Sequence, residues 1–289
     1  MMGIVLAQAV NGLVLGFIYV LIAVGLSVIF GLLGIVNFAH GAFFALGAYF
    51  AVTLEARFGW PAVILAPIGV GLIGLVVEMT LIRRLYGRDP LTVIVLTFAL
   101  ALFIEALITL VWGTGSYPFS VPPLLRGFLA YGPILITKYR MWVAALTIAL
   151  LLFLWLFLAY TPYGRILRAG SRDPEMVSLL GINFPVVLTG AFGLGCLLAG
   201  VAGVMAAPLW SVTPSMSAGA IMPAFVVVTI GGLGSYGGAI VAGLLVGLVT
   251  GLTVQFWPEA SSAAMYVLMA AVLLVRPRGL LGERWERFE

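Results

Sequence analysis

Charge is what this 289-residue sequence has least of. Ten acidic and fourteen basic side chains make up 8% of it, where a soluble domain carries roughly 25%. With 63% hydrophobic residues, that scarcity excludes a soluble globular chain and leaves a polytopic membrane protein. Cysteine occurs once, at Cys196 inside an apolar run, which excludes a disulfide framework. Histidine also occurs once, at His40. One His, one Cys and no acidic cluster exclude metal catalysis, and no cofactor is expected. No GxxxxGK[ST] stretch is present, so the chain does not bind ATP through a phosphate loop. The opening MMGIVLAQAVNG has no basic stretch, and no cleaved signal peptide is expected. Lysine is confined to Lys138; the other basic residues are Arg, grouped beside apolar runs as cytoplasmic anchors are. The net charge of +4 is therefore no sign of nucleic-acid binding.

What fills the chain is apolar sequence, in segments at about 6–30, 35–54, 60–82, 91–113, 141–160, 184–207, 217–233, 238–256 and 260–275. A bilayer-crossing helix needs roughly 17–25 residues; 217–233 and 260–275 are at the short end. The expected fold is all-α and polytopic, with about nine (eight to ten) transmembrane segments including broken or half-helices, in one transmembrane domain, 1–289. Arg83, Arg84 and Arg88, then Arg165, Arg168 and Arg172, then Arg276, Arg278, Arg284 and Arg287 mark three stretches that the positive-inside rule assigns to the cytoplasm. The C-terminus follows them there, the N-terminus comes out external, and Lys138 and Arg140 fall outside. Residues 114–140, with Pro118, Pro122, Pro123 and Pro133, read as an ordered external loop.

Polar residues in the apolar segments are few. Asn37 and His40 lie among Gly25, Gly31, Gly34, Gly41 and Gly47, and a polar pair with glycines at membrane depth predicts an interrupted helix lining a cavity. Residues 231–248 echo 31–50: a glycine-rich turn (Gly231, Gly232, Gly234, Ser235), then a small-residue helix. Such echoes arise from internal repeats in transporters and equally from Gly/Ala-rich composition; both readings stay open. His40 is expected to tie down carbonyls freed by the helix break rather than to act as a proton switch, and Asn37 likewise. Glu105, mid-span, is expected to bond to a neighbouring helix, because no basic residue at that depth completes a relay. Glu78 lies within reach of Arg83 or Arg84 as a structural ion pair. Gly243, Gly247 and Gly251, and again Gly12 and Gly16, are GxxxG steps that predict close helix packing without naming a partner.

The hydrophilic stretch 161–183 carries a complete set of helix signals. Asp173 suits an N-cap, Pro174 the first helical position, Glu175 the positive dipole end, and Gly181 the stop. They predict a helix over 174–180 with Met176, Leu179 and Leu180 on one face. So short a helix is marginal in water, and its apolar face needs either the membrane interface or a groove on a cytoplasmic partner.

Several runs carry a resemblance over nearly the whole chain: Asn11-Gly12 with Gly16; Gly34 to Gly41 (GIVNFAHG) with Gly47-Ala48-Tyr49; and Gly164-Arg165 with Arg168-Ala169. To these are added Ser178 to Asn183 (SLLGIN), Ala202-Gly203-Val204, Gly231 to Ser235 (GGLGS) with Gly238-Ala239, and Arg276 to Gly282 (RPRGLLG). On these residues the chain resembles the membrane permeases of branched-chain amino acid ABC importers, in particular the H-type subunit of the leucine/isoleucine/valine system. The resemblance implies a transport subunit rather than an enzyme, in the bacterial cytoplasmic (inner) membrane. Its implied partners are a second related permease (a heterodimer), two cytoplasmic ABC ATPases and an extracytoplasmic substrate-binding protein. It implies a translocation pathway near Asn37, His40, Gly41, Gly231, Gly232, Gly234 and Ser235. The ATPase-coupling segment would be 161–183, with Gly164, Arg168, Ala169, Asp173, Glu175, Met176, Leu179, Leu180 and Gly181. Two positions depart from the family: Ala42, where members often carry an acidic residue, and Pro223, where many carry Lys. The competing functions are an ion-coupled carrier using Glu105 and His40, an importer permease for urea or amides, and a non-transporting membrane subunit of an enzyme complex. The capped helix in 161–183 favours the importer, since a self-contained carrier needs no docking helix.

Overall fold

The computed structural model of the protein describes residues 2–131 and 134–282; Pro133, Arg284 and Arg287 lie outside the described residues. The helices are α1 (Met2–Leu33), α2 (His40–Phe58), α3 (Ala62–Thr80), α4 (Pro90–Trp112), α5 (Lys138–Tyr160), α6 (Pro162–Arg172), α7 (Pro174–Leu179), α8 (Phe184–Ala206), α9 (Met216–Gly231), α10 (Tyr236–Phe256) and α11 (Ser261–Val275). Each of the nine apolar segments corresponds to one of them, and among the described residues seven segments are long and apolar enough to cross a membrane; α9 is a shorter apolar helix. Local chemistry sets many boundaries. Asp89 accepts a hydrogen bond from the Leu91 amide at 3.0 Å ahead of Pro90 at the start of α4, and Gly113 ends that helix at φ +81°, where a side chain would be strained.

Two elements differ from the sequence reading. The stretch 161–183 holds two helices, because α6 precedes the expected one. The external loop contains a short antiparallel hairpin, β1 (Phe128–Tyr131) and β2 (Ile134–Thr137), with Phe128 opposite Thr137.

Glycine decides the packing. In lipid, helices associate through close van der Waals contact rather than hydrophobic expulsion. The two GxxxG faces prove to be each other's partner. A Cβ on Gly12 would sit 2.6 Å from the Gly247 carbonyl oxygen, and one on Gly16 would sit 2.9 Å from that of Gly243, so α1 and α10 meet backbone to backbone. The buried α8 is the central post: its Gly193 and Gly200 receive α3, Gly195 receives α1, and Gly203 receives α2.

The path between α1 and α2 places the site. Leu32 and Leu33, at the end of α1, pack with Leu167, Val177 and Phe184 beside the arginine-bearing stretches. Yet His40, the first residue of α2, bonds back to the carbonyl of Ile22. Ile22 is eleven residues above the end of α1, about 16 Å along the axis at 1.5 Å per residue. Residues 34–39 therefore carry the chain from the helix end back to mid-depth, turning at Gly34 with φ +66°. The expected interruption is thus not a break within a helix: α1 is unbroken, and α2 begins at mid-depth. α9 is placed in a related way, since residues 207–215 lead from the end of α8 to a start beside Gly41.

Candidate functional site

The mid-depth junction is built from the first turn of α2. Asn37 Oδ1 accepts a hydrogen bond from the Ala39 amide at 3.0 Å, and the His40 amide donates to the Asn37 carbonyl. His40 Nε2 lies 3.0 Å from the Ile22 carbonyl oxygen. That partner corrects the expectation: the carbonyl belongs to the continuous part of α1, not to a break. The ring reaches it because Gly25 leaves room; a Cβ there would lie 3.1 Å from His40 Nε2. Gly41 lets α9 in, since a Cβ on it would run into the Ser217 carbonyl and come 2.8 Å from Ile221 Cβ. Asn37 Nδ2 and His40 Nδ1 are buried here without a hydrogen-bond partner among the described residues.

Beside this junction α4 and α9 form an open face. Ser217 Oγ, in the first turn of α9, donates to Glu105 Oε2 at 2.9 Å, so Glu105 is bonded to a neighbouring helix as its position suggested. Ser217 is buried and Glu105 half-buried. Below them three rings meet. Phe38, from the returning segment, lies 4.9 Å from Phe225 of α9 and 6.3 Å, edge-on, from Phe98 of α4 (ring centroids). The Phe38 amide donates to Thr97 Oγ1 at 3.3 Å. Neither Ser217 nor the three rings stood out in the sequence. A lone serine in a short apolar segment was the available signal for the first; nothing local marks the rings.

The two glycine-rich turns come together only in part. Gly232 (φ +99°) and Gly234 (φ +79°) make the turn from α9 into α10, which Ser235 caps by accepting from the Gly238 amide. Gly31 rests against this turn, with a Cβ there 3.5 Å from Gly234 Cα. Asn37, His40 and Gly41 do not. They lie at the other end of α9, which runs from Ser217 beside Gly41 to Gly231, about 21 Å. The tail 276–282 closes on the turn: the Leu280 amide donates to the Ile230 carbonyl (2.7 Å) and the Leu281 amide to that of Gly231 (3.0 Å).

At the arginine-bearing end, α7 is built as its signals require. Asp173 Oδ1 accepts from the Met176 amide at 2.9 Å, Glu175 lies in the first turn, and Gly181 has φ +79°. Val177 is its inward anchor, packed with Leu167 and Phe184. The expected face is bare: Met176, Leu179 and Leu180 are 54%, 81% and 72% exposed. α6 holds α7 in place. A Cβ on Gly164 would fall on the Leu158 backbone, Arg168 donates to the carbonyls of Leu158 and Ala159 at the end of α5, and the Ala169 carbonyl accepts from the Asp173 amide.

Glu78 is fully buried nearby, 3.4 Å from Arg83 Nη2, and accepts a hydrogen bond from the Tyr86 hydroxyl. Arg83 also donates to Thr189 of α8. Burial first, then the bond to Glu78, push the Tyr86 hydroxyl far above its ordinary pKa, so it stays a donor.

Residues 8–275 match the family described as branched-chain amino acid transport system / permease component. The chain is 31% identical to the high-affinity branched-chain amino acid transport system permease protein BraD of Pseudomonas aeruginosa, over 96% of this chain and 95% of that one. It is equally identical, with the same coverage, to the corresponding LivH of Escherichia coli. It is 28% identical to the Escherichia coli permease protein LivM, over 92% of this chain and 68% of that one. With nearly its whole length matched, the chain belongs to the family of branched-chain amino acid transport system permease components.

Proposed function

We propose that the chain is the membrane-spanning permease subunit of an ATP-driven (ABC) importer for branched-chain or related amino acids, its residues 1–289 forming one transmembrane domain of the translocation pathway. The observation that carries this reading is α7. It is a capped helix, seated by Val177, with a bare apolar face among Arg165, Arg168 and Arg172. A helix of six residues has no stability to spare, and such a face suits a groove on a partner. The partner is a cytoplasmic ABC ATPase, two of which serve the pair of permeases; ATP hydrolysis resides there and not on this chain. Similarity to both LivH and LivM supports pairing with a second, related permease, and an extracytoplasmic binding protein delivers the substrate. The membrane is the bacterial inner membrane, with the arginine-bearing stretches and the C-terminus in the cytoplasm. Asn37, His40 and Gly41 lie on the pathway side of the mid-depth junction, and Gly231, Gly232, Gly234 and Ser235 form the hinge through which α9 follows the cytoplasmic side.

The ion-coupled alternative assigns coupling to Glu105 and His40. Their bonds go to Ser217 and to Ile22, not to each other, which gives no proton relay. The test is uptake of L-leucine into proteoliposomes holding the assembled complex, with ATP on the ATPase side. Uptake that requires ATP and persists with an uncoupler supports the importer. Uptake that follows an imposed ion gradient without ATP overturns it.

A further inference from the structure

We infer that the open face between α4 and α9 is the amino-acid subsite of the permease, in which Glu105 receives the substrate's α-ammonium and Phe38, Phe98 and Phe225 receive its aliphatic side chain. The inference rests on the importer reading above.

Glu105 is one of the few ionisable groups within a spanning segment, seven residues, or about 10 Å, from the Trp112 end of α4. A carboxylate at that depth faces protein or an aqueous path rather than lipid. One of its oxygens takes the Ser217 hydroxyl at 2.9 Å; the other is available to a cation. A carboxylate suits an ammonium group, which has three donors.

The aromatic rings lie toward the arginine-bearing end. Phe98 is seven residues before Glu105 on α4, and Phe225 eight residues beyond Ser217 on α9. At 1.5 Å per residue the two levels are about 10–12 Å apart along the helices. The face thus offers a carboxylate at one level and an apolar floor at the next, which complements the ammonium group and aliphatic side chain of an amino acid. Phe38 in the floor belongs to the segment that returns to mid-depth at Asn37 and His40. The same rings that hold the side chain therefore close the route beneath it.

The decisive variant is Glu105→Gln in the assembled complex, because the glutamine Oε1 still accepts from Ser217 and only the charge is lost. L-leucine uptake and ATP hydrolysis stimulated by the binding protein are measured together. Charge recognition predicts at least a tenfold loss of uptake with stimulated hydrolysis near the wild-type rate, partial recovery in Glu105→Asp, and a small effect of Ser217→Ala. Phe225→Ala should let hydrolysis and basal leak of leucine rise while net uptake falls. A Glu105→Gln complex that imports leucine at the wild-type rate overturns the inference and leaves the importer intact. Equal losses of uptake and hydrolysis in Glu105→Gln and Ser217→Ala make the pair a helix tie only, and overturn it as well. A wild-type complex without ATP-dependent leucine uptake overturns the importer reading and the subsite with it.

Discussion

Leu179→Glu separates docking from folding. Leu179 and Leu180 are 81% and 72% exposed, so a partner groove would cover most of both. Full burial of one leucine side chain contributes about 1.5–3 kcal/mol, and the two together roughly 3–6 kcal/mol, or two to four orders of magnitude in affinity at 1.4 kcal/mol per decade. Leu179→Glu removes one anchor and buries a carboxylate with no counter-charge, a further several kcal/mol. Asp173→Ala removes only the bond to the Met176 amide, about 1 kcal/mol. Val177→Glu differs in kind, because Val177 is buried against Leu167, Phe184 and Leu188 and its loss unseats the helix from its own chain. The assay is co-purification of the ATPase with the tagged permease, alongside thermal stability of the isolated permease. The expected order of ATPase loss is Leu179→Glu well above Asp173→Ala, with permease stability unchanged by Leu179→Glu and lowered by Val177→Glu. Normal ATPase binding and transport in the Leu179→Glu complex would refute the reasoning and leave the helix resting on lipid headgroups.

Gly41→Leu should abolish uptake or assembly, since even a Cβ there strikes α9 and overpacking of one methylene group already costs about 1–3 kcal/mol; membrane yield and uptake check it. His40→Gln should keep much of the activity by retaining a donor for the Ile22 carbonyl, with an unchanged profile of uptake over roughly pH 5–8; a titration present in the wild type and absent in the variant would make His40 a switch. Arg83→Ala should destabilise the permease by about 2–3 kcal/mol, because it removes the counter-charge of the buried Glu78 carboxylate and leaves it only the Tyr86 hydroxyl. Glu78→Gln with Arg83→Ala together should recover part of that loss in a thermal unfolding series.

The sequence was legible where stabilisation is local. Asp173, Pro174 and Gly181 announce α7 because capping bonds span only a few residues. The adjacent α6 has a local start signal too, Thr161 accepting from the Gly164 amide ahead of Pro162, which the reading of the sequence passed over; what seats it is distant, with Gly170 under the ring of Phe184 and Arg168 reaching back to α5. The GxxxG steps of Gly12 and Gly247 announced close packing, but a flat face of glycines says nothing of its partner. Asn37 and His40 marked an irregularity at membrane depth. Its form, a helix end followed by a return to Ile22, depends on where α1 stops relative to α8. The aromatic floor was the least legible part, because Phe38, Phe98 and Phe225 come from three segments and each alone reads as an ordinary apolar residue.

The tail contact bears on biogenesis. The Ile230 and Gly231 carbonyls at the end of α9 take their donors from Leu280 and Leu281, which leave the ribosome only after α10 and α11 have been made. Until then the turn at the end of α9 is unfinished, although α9 already has α1, α2 and α10 to pack against. Chains cut before residue 280 should insert normally and remain permanently in that unfinished state.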